Sequence, residues 1–235
     1  MQDLKELLKK NYENILTKLQ KACLKVGRPL DEVRVLAASK GQSIEKIRTA
    51  YELGIKLFGE NYVQEGEAKI KELSSLEIEW HFIGRLQTNK VKKALGLFSV
   101  LHTLDRYELA KELQKQADKL NKVVPVLIEI NIGKEPTKAG IKKEEVEEFL
   151  EKILGFKRIK IIGLMCLPPY KEKLEEVRPY FIEMRKIFDS LKPYLGEDFK
   201  ELSMGTSHDY PVAIEEGATI IRIGEALFGK RECKL

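Results

Sequence analysis

A lysine that directly follows a buried strand has the position best suited to covalent chemistry in this sequence. Lys40 comes after the apolar run VRVLAAS, so we expect its amine at the end of a core strand rather than on a surface helix. A partly desolvated amine has a lowered pKa and can attack a carbonyl carbon to form a Schiff base. The alternative is that Lys40, like most lysines, is only a surface charge.

Two short segments near the C-terminus have the composition of a phosphate site. SMGTS at 203–207 and RIGEALFG at 222–229 place small residues, hydroxyls and a helix start after two strands. Backbone N–H groups at helix starts bind anions, and barrels commonly bind phosphate after strands seven and eight. Each segment alone could be a capped turn, but together they favour phosphate. A carbonyl compound that carries a phosphate would suit Lys40 and both segments.

Other polar residues in the strand-like runs have less specific interpretations. Arg222 lies between isoleucines, where it could snorkel or pair with a carboxylate. A guanidinium only donates hydrogen bonds, so against a pyridine nitrogen it would keep that nitrogen unprotonated. Asn61 could pack on a ligand ring or cap a helix. We expect His81 to be a core histidine and Cys166 to line the core.

Composition excludes several classes of protein. The chain has 235 residues, 43% of them hydrophobic, and a net charge of +5 from intermixed charges, which argues against nucleic-acid binding. Cys23, Cys166 and Cys233 are odd in number and widely spaced, as in reduced cytoplasmic proteins. No apolar run approaches the roughly 18 residues of a membrane helix, and the amphipathic N-terminus is not a targeting signal. No metal-binding, nucleophile-elbow or phosphate-loop motif is present. We therefore expect a soluble cytoplasmic protein without a metal.

Strand-like and helix-like segments alternate along the whole chain. The strand-like runs are VRVLAAS, IKLF, IEWHFIG, FSVLHT, VVPVLIEIN, IKIIGLM, FKELSM and TIIRIG. They are almost continuously apolar, as in a parallel sheet covered on both sides. Eight such units predict an α/β fold, a single (β/α)₈ TIM-type barrel, with a doubly wound open sheet as the alternative. We predict one domain over 1–235: an extra N-terminal helix within 1–28, covering 3–25, and a barrel over 33–231.

Several longer motifs resemble those of a known family. They are SK at 39–40, FGENYVQE at 58–65, WHFIGRLQTNK at 80–90, GLM at 163–165, LSMGTSHD at 202–209 and RIGEALFG at 222–229. These segments look like the pyridoxal phosphate homeostasis proteins, single-domain barrels similar to the N-terminal domain of bacterial alanine racemase. The resemblance runs from the first strand to the C-terminus.

The resemblance implies a cofactor and a set of residues that bind it. Lys40 would hold pyridoxal 5′-phosphate as a Schiff base, Asn61 and Met165 would flank the ring, and Arg222 would face the pyridine nitrogen. The residues implied to hold the phosphate are Ser203, Gly205, Thr206, Ser207 and Gly224. Thr206 departs from the Met usual in the family, which leaves the phosphate loop intact and adds a hydroxyl. Gly41 and Gln42 replace a common Thr-Lys pair, which puts the loop after Lys40 in doubt.

The cofactor alone does not decide the function. Racemisation needs two bases on opposite faces of the α-carbon, and the alanine racemases take one of them from a separate β domain. The chain ends at Leu235, so we expect that domain to be absent and predict a monomeric protein that stores or delivers the cofactor, with apoenzymes as possible partners. The alternative is a racemase of low activity. A Schiff-base aldolase would share the lysine and phosphate site but would not explain Arg222.

Overall fold

Parallel strands close into a barrel in a computed structural model that describes residues 2–136 and 138–230. Within these residues each of eight strands pairs with the next, and the last pairs with the first. The strands are β1 (Arg34–Ala38), β2 (Leu57–Glu60), β3 (Glu79–Phe82), β4 (Val100–Leu104), β5 (Val124–Ile130), β6 (Ile159–Cys166), β7 (Glu201–Thr206) and β8 (Ile220–Ile223). The predicted (β/α)₈ barrel is confirmed, and the open sheet is excluded.

Helices follow the strands and cover the outside of the barrel. Those described are α1 (Gln2–Lys25), α2 (Ile44–Glu52), α3 (Val63–Glu72), α4 (Val91–Leu97), α5 (Tyr107–Lys119), α6 (Val146–Ile153), α7 (Leu174–Leu195), α8 (Tyr210–Glu215) and α9 (Glu225–Phe228). Short 3₁₀ turns precede β1, α4 and α6. The predicted N-terminal helix is confirmed. That residues 1–235 form one domain stays a prediction, and its last barrel residue, Arg231, lies outside the described residues.

The two faces of the strands pack into different environments. Because successive side chains of a strand point to opposite faces, one set meets the helices and the other fills the barrel. The outward set joins one large apolar core with the helices. The inward set forms two small apolar clusters, one of Leu36, Leu57 and Ile220, the other of Val100, Leu127 and Met165. Polar side chains, His81 and His102 among them, are also buried within the strands.

Helix α1 packs across the outside of α8 and α9. Its buried residues recur at helical spacing along one face: Leu8, Ile15, Leu19, Ala22 and Cys23. The Asn11 side chain donates to the carbonyl of Leu227 at 2.9 Å. Beyond the helix, Arg28 donates to the carbonyls of Ile214 (2.8 Å) and Ala218 (3.1 Å). These contacts attach α1 to the elements that follow β7 and β8.

Two of the three cysteines lie within the described residues. Cys23 and Cys166 are buried, free thiols, whereas Cys233 lies outside the described residues. Burial raises the pKa of the Cys166 thiol to about 12, in agreement with the predicted core-lining role. Among residues 2–136 and 138–230, no helix combines the length and apolar character needed to cross a bilayer.

Candidate functional site

An open cavity of about 750 Å³ lies at the C-terminal ends of the strands. Six residues singled out from the sequence line it: Lys40, Asn61, Thr206, Ser207, Arg222 and Gly224. They come from the segments that follow β1, β2 and β7 and from β8 with the residue after it. Met165, Ser203 and Gly205 are buried behind this wall and do not line the cavity. The closed barrel therefore brings the predicted lysine and the two predicted phosphate segments together.

The turn that carries Lys40 is held on both sides of the lysine. The N–H of Ser39 donates to the carbonyl of Gly59 at 3.0 Å, which continues the pairing of β1 with β2. Lys69 of α3 donates to the carbonyl of Ser39 at 2.6 Å. The N–H of Gly41 donates to Oε1 of Glu65 at 2.6 Å. The loop whose conformation the Gly41–Gln42 departure put in doubt is thus fixed by α3.

A buried carboxyl group completes this support. Glu60, fully buried at the end of β2, accepts from the Ser39 hydroxyl at 2.6 Å and from Lys69 Nζ at 2.8 Å. Burial raises the pKa of Glu60, although the charge and hydrogen bond of Lys69 act against this. Sequence reasoning missed Lys69, because its spacing of four residues from Glu65 is typical of exposed helix pairs. Lys69 is instead buried, and its Nζ lies 2.6 Å from Glu65 Oε1.

The segments after β7 and β8 meet at the hydroxyl of Ser207. Its Oγ accepts from the N–H groups of Gly224 (3.2 Å) and Ala226 (3.1 Å), so its own proton is left to donate elsewhere. Within the part of the chain that the structure describes, the backbone N–H groups of His208 and Glu225 form no hydrogen bond. Both residues line the cavity, as does Ser207. This wall therefore offers a hydroxyl and backbone donors to an anion.

Thr206 and Gly205 shape the same loop without sharing that role. Both the N–H and the hydroxyl of Thr206 donate to Oδ1 of Asp209, at 2.6 and 3.0 Å. The additional hydroxyl noted in the sequence is thus directed at Asp209. Gly205 has a φ of 90°, and a Cβ there would lie 2.6 Å from Cβ of Ala213 and 2.9 Å from Cα of Tyr210. Only glycine fits where the loop turns against α8.

Arg222 is buried in the cavity wall with a fixed guanidinium. Its Nη1 donates to the carbonyl (2.8 Å) and hydroxyl (2.7 Å) of Ser203, and its Nη2 donates to the carbonyl of Cys166 at 2.8 Å. A guanidinium has five N–H groups. The two that remain form no hydrogen bond with residues 2–136 or 138–230, and Arg222 lines the cavity. Arg222 can therefore donate to an acceptor placed there.

Two further side chains border the ligand region. Asn61 lies between the main cavity and a recess of about 240 Å³, which Glu129 of β5 also lines. Gly84 permits this position of Asn61, since a Cβ there would lie 2.1 Å from the Asn61 carbonyl oxygen. Burial, with a smaller effect from Asp105, raises the pKa of Glu129 to about 7. Glu129 lies in the strand-like run VVPVLIEIN, and nothing in its neighbours along the chain indicates a raised pKa.

Over the ranges 2–136 and 138–230, no group of three or more His, Cys, Asp or Glu side chains is arranged to hold a metal ion. The absence of a metal stays a prediction. The cavity residues described above offer an amine, a guanidinium, hydroxyls and backbone donors.

The sequence matches a protein family and individual relatives over most of its length. A family model described as "Alanine racemase, N-terminal domain" matches residues 11–232. A pyridoxal phosphate homeostasis protein of Aquifex aeolicus is 50% identical over 218 residues, which cover 93% of this chain and 96% of the relative. One from Escherichia coli K12 is 37% identical over 230 residues, covering 94% and 96%.

Solved structures agree in fold. PipY of Synechococcus elongatus PCC7942, solved with pyridoxal phosphate bound, has a TM-score of 0.79 and 34% identity, covering 92% of this chain and 100% of its own. An alanine racemase of Clostridium difficile, in complex with cycloserine, has a TM-score of 0.74 at 14% identity and covers 97% of this chain. This chain covers 61% of that racemase, and the likeness shows a common barrel only.

Proposed function

Because this chain belongs to the pyridoxal phosphate homeostasis proteins of the alanine racemase N-terminal domain family, we propose that it binds pyridoxal 5′-phosphate through Lys40 and stores or delivers it. One observation carries the proposal: Lys40 and the two phosphate segments line the same cavity of about 750 Å³. The relative PipY, solved with pyridoxal phosphate bound, supports it.

The residues of the cavity fit this cofactor. When bound, pyridoxal phosphate would supply three groups: an aldehyde, which condenses with a lysine amine with loss of water, a pyridine nitrogen, and a phosphate dianion. Ser207 donates a hydrogen bond from its hydroxyl to the phosphate. The backbone N–H groups of the loop and of the segment after Gly224 donate to it as well. Arg222 donates one of its two unpaired N–H groups to the pyridine nitrogen.

The other predicted binding residues act by shape or through a neighbour. Gly205 and Thr206 hold the phosphate loop in its bend, Thr206 through Asp209. Asn61 borders one side of the ring. Met165, packed with the apolar side chains inside the barrel, supports the other from below.

Arg222 also favours a carrier over an amino-acid enzyme. A guanidinium cannot give its proton to the ring nitrogen, so the ring stays a weak electron acceptor, which disfavours breaking bonds at an amino-acid α-carbon. Racemisation further requires two bases on opposite faces of that carbon. We propose negligible turnover of amino acids, with apoenzymes that use the cofactor as the recipients. We further propose a monomer that works in the cytoplasm, in keeping with its buried free thiols.

The attachment site is tested by reduction and mass spectrometry. Borohydride treatment of the loaded protein should leave a pyridoxyl group on Lys40, and Lys40→Ala should abolish it. Lys69 is the internal control, because it is a buried lysine whose amine already contacts three oxygens near the same turn. A pyridoxyl group on Lys69, on Lys230 or on no lysine would contradict the assignment.

The phosphate loops are tested in the same assay by matched hydroxyl variants. Ser207→Ala should weaken binding of pyridoxal phosphate about tenfold or more, because it removes a charge-assisted hydrogen bond. Thr206→Val should have a smaller effect, since its hydroxyl contacts Asp209. Pyridoxal without its phosphate should bind far more weakly than pyridoxal phosphate. Equal binding of the two would show that the loops hold no phosphate.

The carrier role is tested by comparing turnover with delivery. The loaded protein is incubated with single L-amino acids in deuterated water, and α-deuterium and optical rotation are followed. In parallel, activation of an apoenzyme by the loaded protein is measured. We expect delivery without exchange. Turnover of any amino acid in the ordinary enzyme range of about 1–10³ per second would establish a racemase instead.

A further inference from the structure

Two buried histidines connect the cavity wall to the opposite end of the barrel. Nε2 of His81 lies 2.7 Å from Oε1 of Glu79, and Nδ1 of His81 lies 2.8 Å from Nε2 of His102. Nδ1 of His102 then lies 3.0 Å from the hydroxyl of Ser203, which accepts from Arg222 at 2.7 Å. These contacts form one continuous chain of hydrogen bonds from β3 through β4 and β7 to β8. We call it the barrel relay.

The relay begins at a carboxylate on the N-terminal side of the barrel. Glu79 is the first residue of β3, its side chain is 39% exposed, and it pairs with Arg34 of β1. The hydrogen bond with His81 has the largest effect on Glu79 and lowers its pKa; the charge of Arg34 lowers it further, whereas burial acts against both. Glu79 is therefore ionised at neutral pH, and an ionised carboxylate can only accept hydrogen bonds.

The charge of Glu79 fixes the direction of every later bond. His81 must donate from Nε2, and because a neutral imidazole carries one N–H, its Nδ1 accepts from Nε2 of His102. By the same rule, Nδ1 of His102 accepts from the hydroxyl of Ser203. The Ser203 oxygen then presents only lone pairs to Arg222. Every donor in this sequence of bonds meets an acceptor.

Both histidines are neutral in this arrangement. Burial lowers the pKa of each one, and for His102 the charges of Arg222 and Arg34 lower it further. For His81, the carboxylates of Glu79 and Glu201 act in the opposite direction. The relay thus carries no net charge between the carboxylate at one end and the guanidinium at the other.

We propose that Glu79, His81 and His102 are positioning residues that hold the Arg222 guanidinium in its orientation toward the cavity. With the relay reversed, His102 would donate to Ser203, and the Ser203 proton would point toward Arg222, itself a donor. Arg222 would then keep only its bonds to the two backbone carbonyls. The part of the proposal that concerns the cofactor rests on the proposed function, in which Arg222 faces the pyridine nitrogen.

The decisive experiment is nitrogen NMR of the cofactor-free protein, whose three histidines make the spectra simple. At about pH 7, His81 and His102 should both be neutral and carry their proton on Nε2. Glu79→Gln can donate as well as accept, so Nδ1–H forms should appear at both histidines and the guanidinium N–H signals of Arg222 should shift. Arg34→Gln is the matched control: it removes the ion pair but keeps the carboxylate, so both histidines should still carry their proton on Nε2.

Two results of the NMR experiment would overturn the proposal. One is a proton on Nδ1 of either histidine in the unmodified protein. The other is an unchanged Arg222 signal in Glu79→Gln.

A second arm uses pyridoxal phosphate itself. Loss of one hydrogen bond to Arg222 should weaken its binding to Glu79→Gln by about two- to tenfold. It should also move the pH midpoint of the bound cofactor's absorption, with attachment still at Lys40 and with Arg34→Gln unchanged. Unchanged affinity and absorption in Glu79→Gln would overturn the positioning role while leaving the proposed function intact. Absence of attachment in the unmodified protein would overturn the proposed function, whatever the NMR result.

Discussion

Glu129 is a single residue whose acidity is changed by its position in the barrel. Its carboxyl group is buried beside the cofactor cavity. Burial and the nearby charge of Asp105 raise its pKa to about 7, against the weaker opposing effects of Arg222 and Arg85. An exposed glutamate in an unfolded chain has a pKa of about 4.3. At pH values between these two pKa values, Glu129 therefore keeps a proton in the folded protein that it has already lost in the unfolded chain.

This difference predicts a pH-dependent stability. A raised carboxyl pKa makes folding favourable at low pH, so the contribution of Glu129 is lost as the pH rises from about 4.3 to about 7. We expect the free energy of unfolding to fall over this window by up to about 3 kcal/mol relative to Glu129→Gln. Denaturant titrations at several pH values measure it. The exposed Glu172→Gln is the control, and a Glu129→Gln variant with the same pH profile as the unmodified protein would contradict the prediction.

The sequence was informative about single residues wherever a strand ends. Lys40, Ser207 and Arg222 could be assigned to the mouth of a barrel because parallel strands all end on the same side. Lys69 could not, because its burial depends on where α3 packs. The relay could not be foreseen either, since only closure of the barrel places His102 of β4 beside Ser203 of β7.

At the scale of elements, β2 and α3 form the support for the loop after β1. The Lys69 amine connects Glu60 of β2, Glu65 of α3 and the carbonyl of Ser39. All three contacts lie between 2.6 and 2.8 Å, and the amine is shielded from water. The conformation of the loop that carries Lys40 thus depends on α3, which contributes none of the predicted cofactor ligands.

Removing this amine should destabilise the protein and loosen the Lys40 loop. Lys69→Met leaves Glu60 buried without its cation, and breaking a buried pair in this way costs about 3–5 kcal/mol. The double variant Lys69→Met with Glu60→Gln should recover much of that loss, because no buried charge remains. Chemical denaturation measures both. Additive losses in the double variant would show that the two side chains do not act as a pair.

The elements themselves were largely predictable. Each of the eight strands overlaps a mostly apolar run, because strands covered on both faces need apolar residues on both, although β2, β4 and β7 begin two residues later than their runs. The polar interior was not predictable from these runs, since Ser203 and Arg222 interrupt them without showing which residues they face. Their partners lie on other strands and, for Arg222, include a backbone carbonyl of β6.

At the scale of the whole molecule, α1 links the start of the chain to the segments that follow β7 and β8. Arg28 joins it to the turn between α8 and β8 through two carbonyls. Lys25 makes a contact of another kind in the same region, an ion pair with Glu215 in which the lysine is mostly exposed. The two contacts differ in burial and therefore in their expected contribution to stability.

Substitutions at these two positions should separate the contributions. Arg28→Met removes two hydrogen bonds from a charged donor and should lower the free energy of unfolding by about 2 kcal/mol or more. Lys25→Met removes an exposed lysine whose partner, Glu215, keeps its ion pair with Arg178, so it should cost less than about 1 kcal/mol. Thermal and denaturant unfolding compare the variants. Similar losses at the two positions would mean that the Arg28 contacts do not hold the barrel to α1.

The docking of α1 on α8 and α9 can occur only late in the synthesis of the chain. Asn11 and its partner Leu227 are 216 positions apart, so at about 5–20 residues per second a ribosome needs about 10–40 seconds to deliver the second after the first. Until then, the apolar stripe of α1 lacks α8 and α9, on which it packs in the folded barrel. The cavity walls after β7 and β8 come from the same late segments, so we expect the cavity to be complete only in a finished chain.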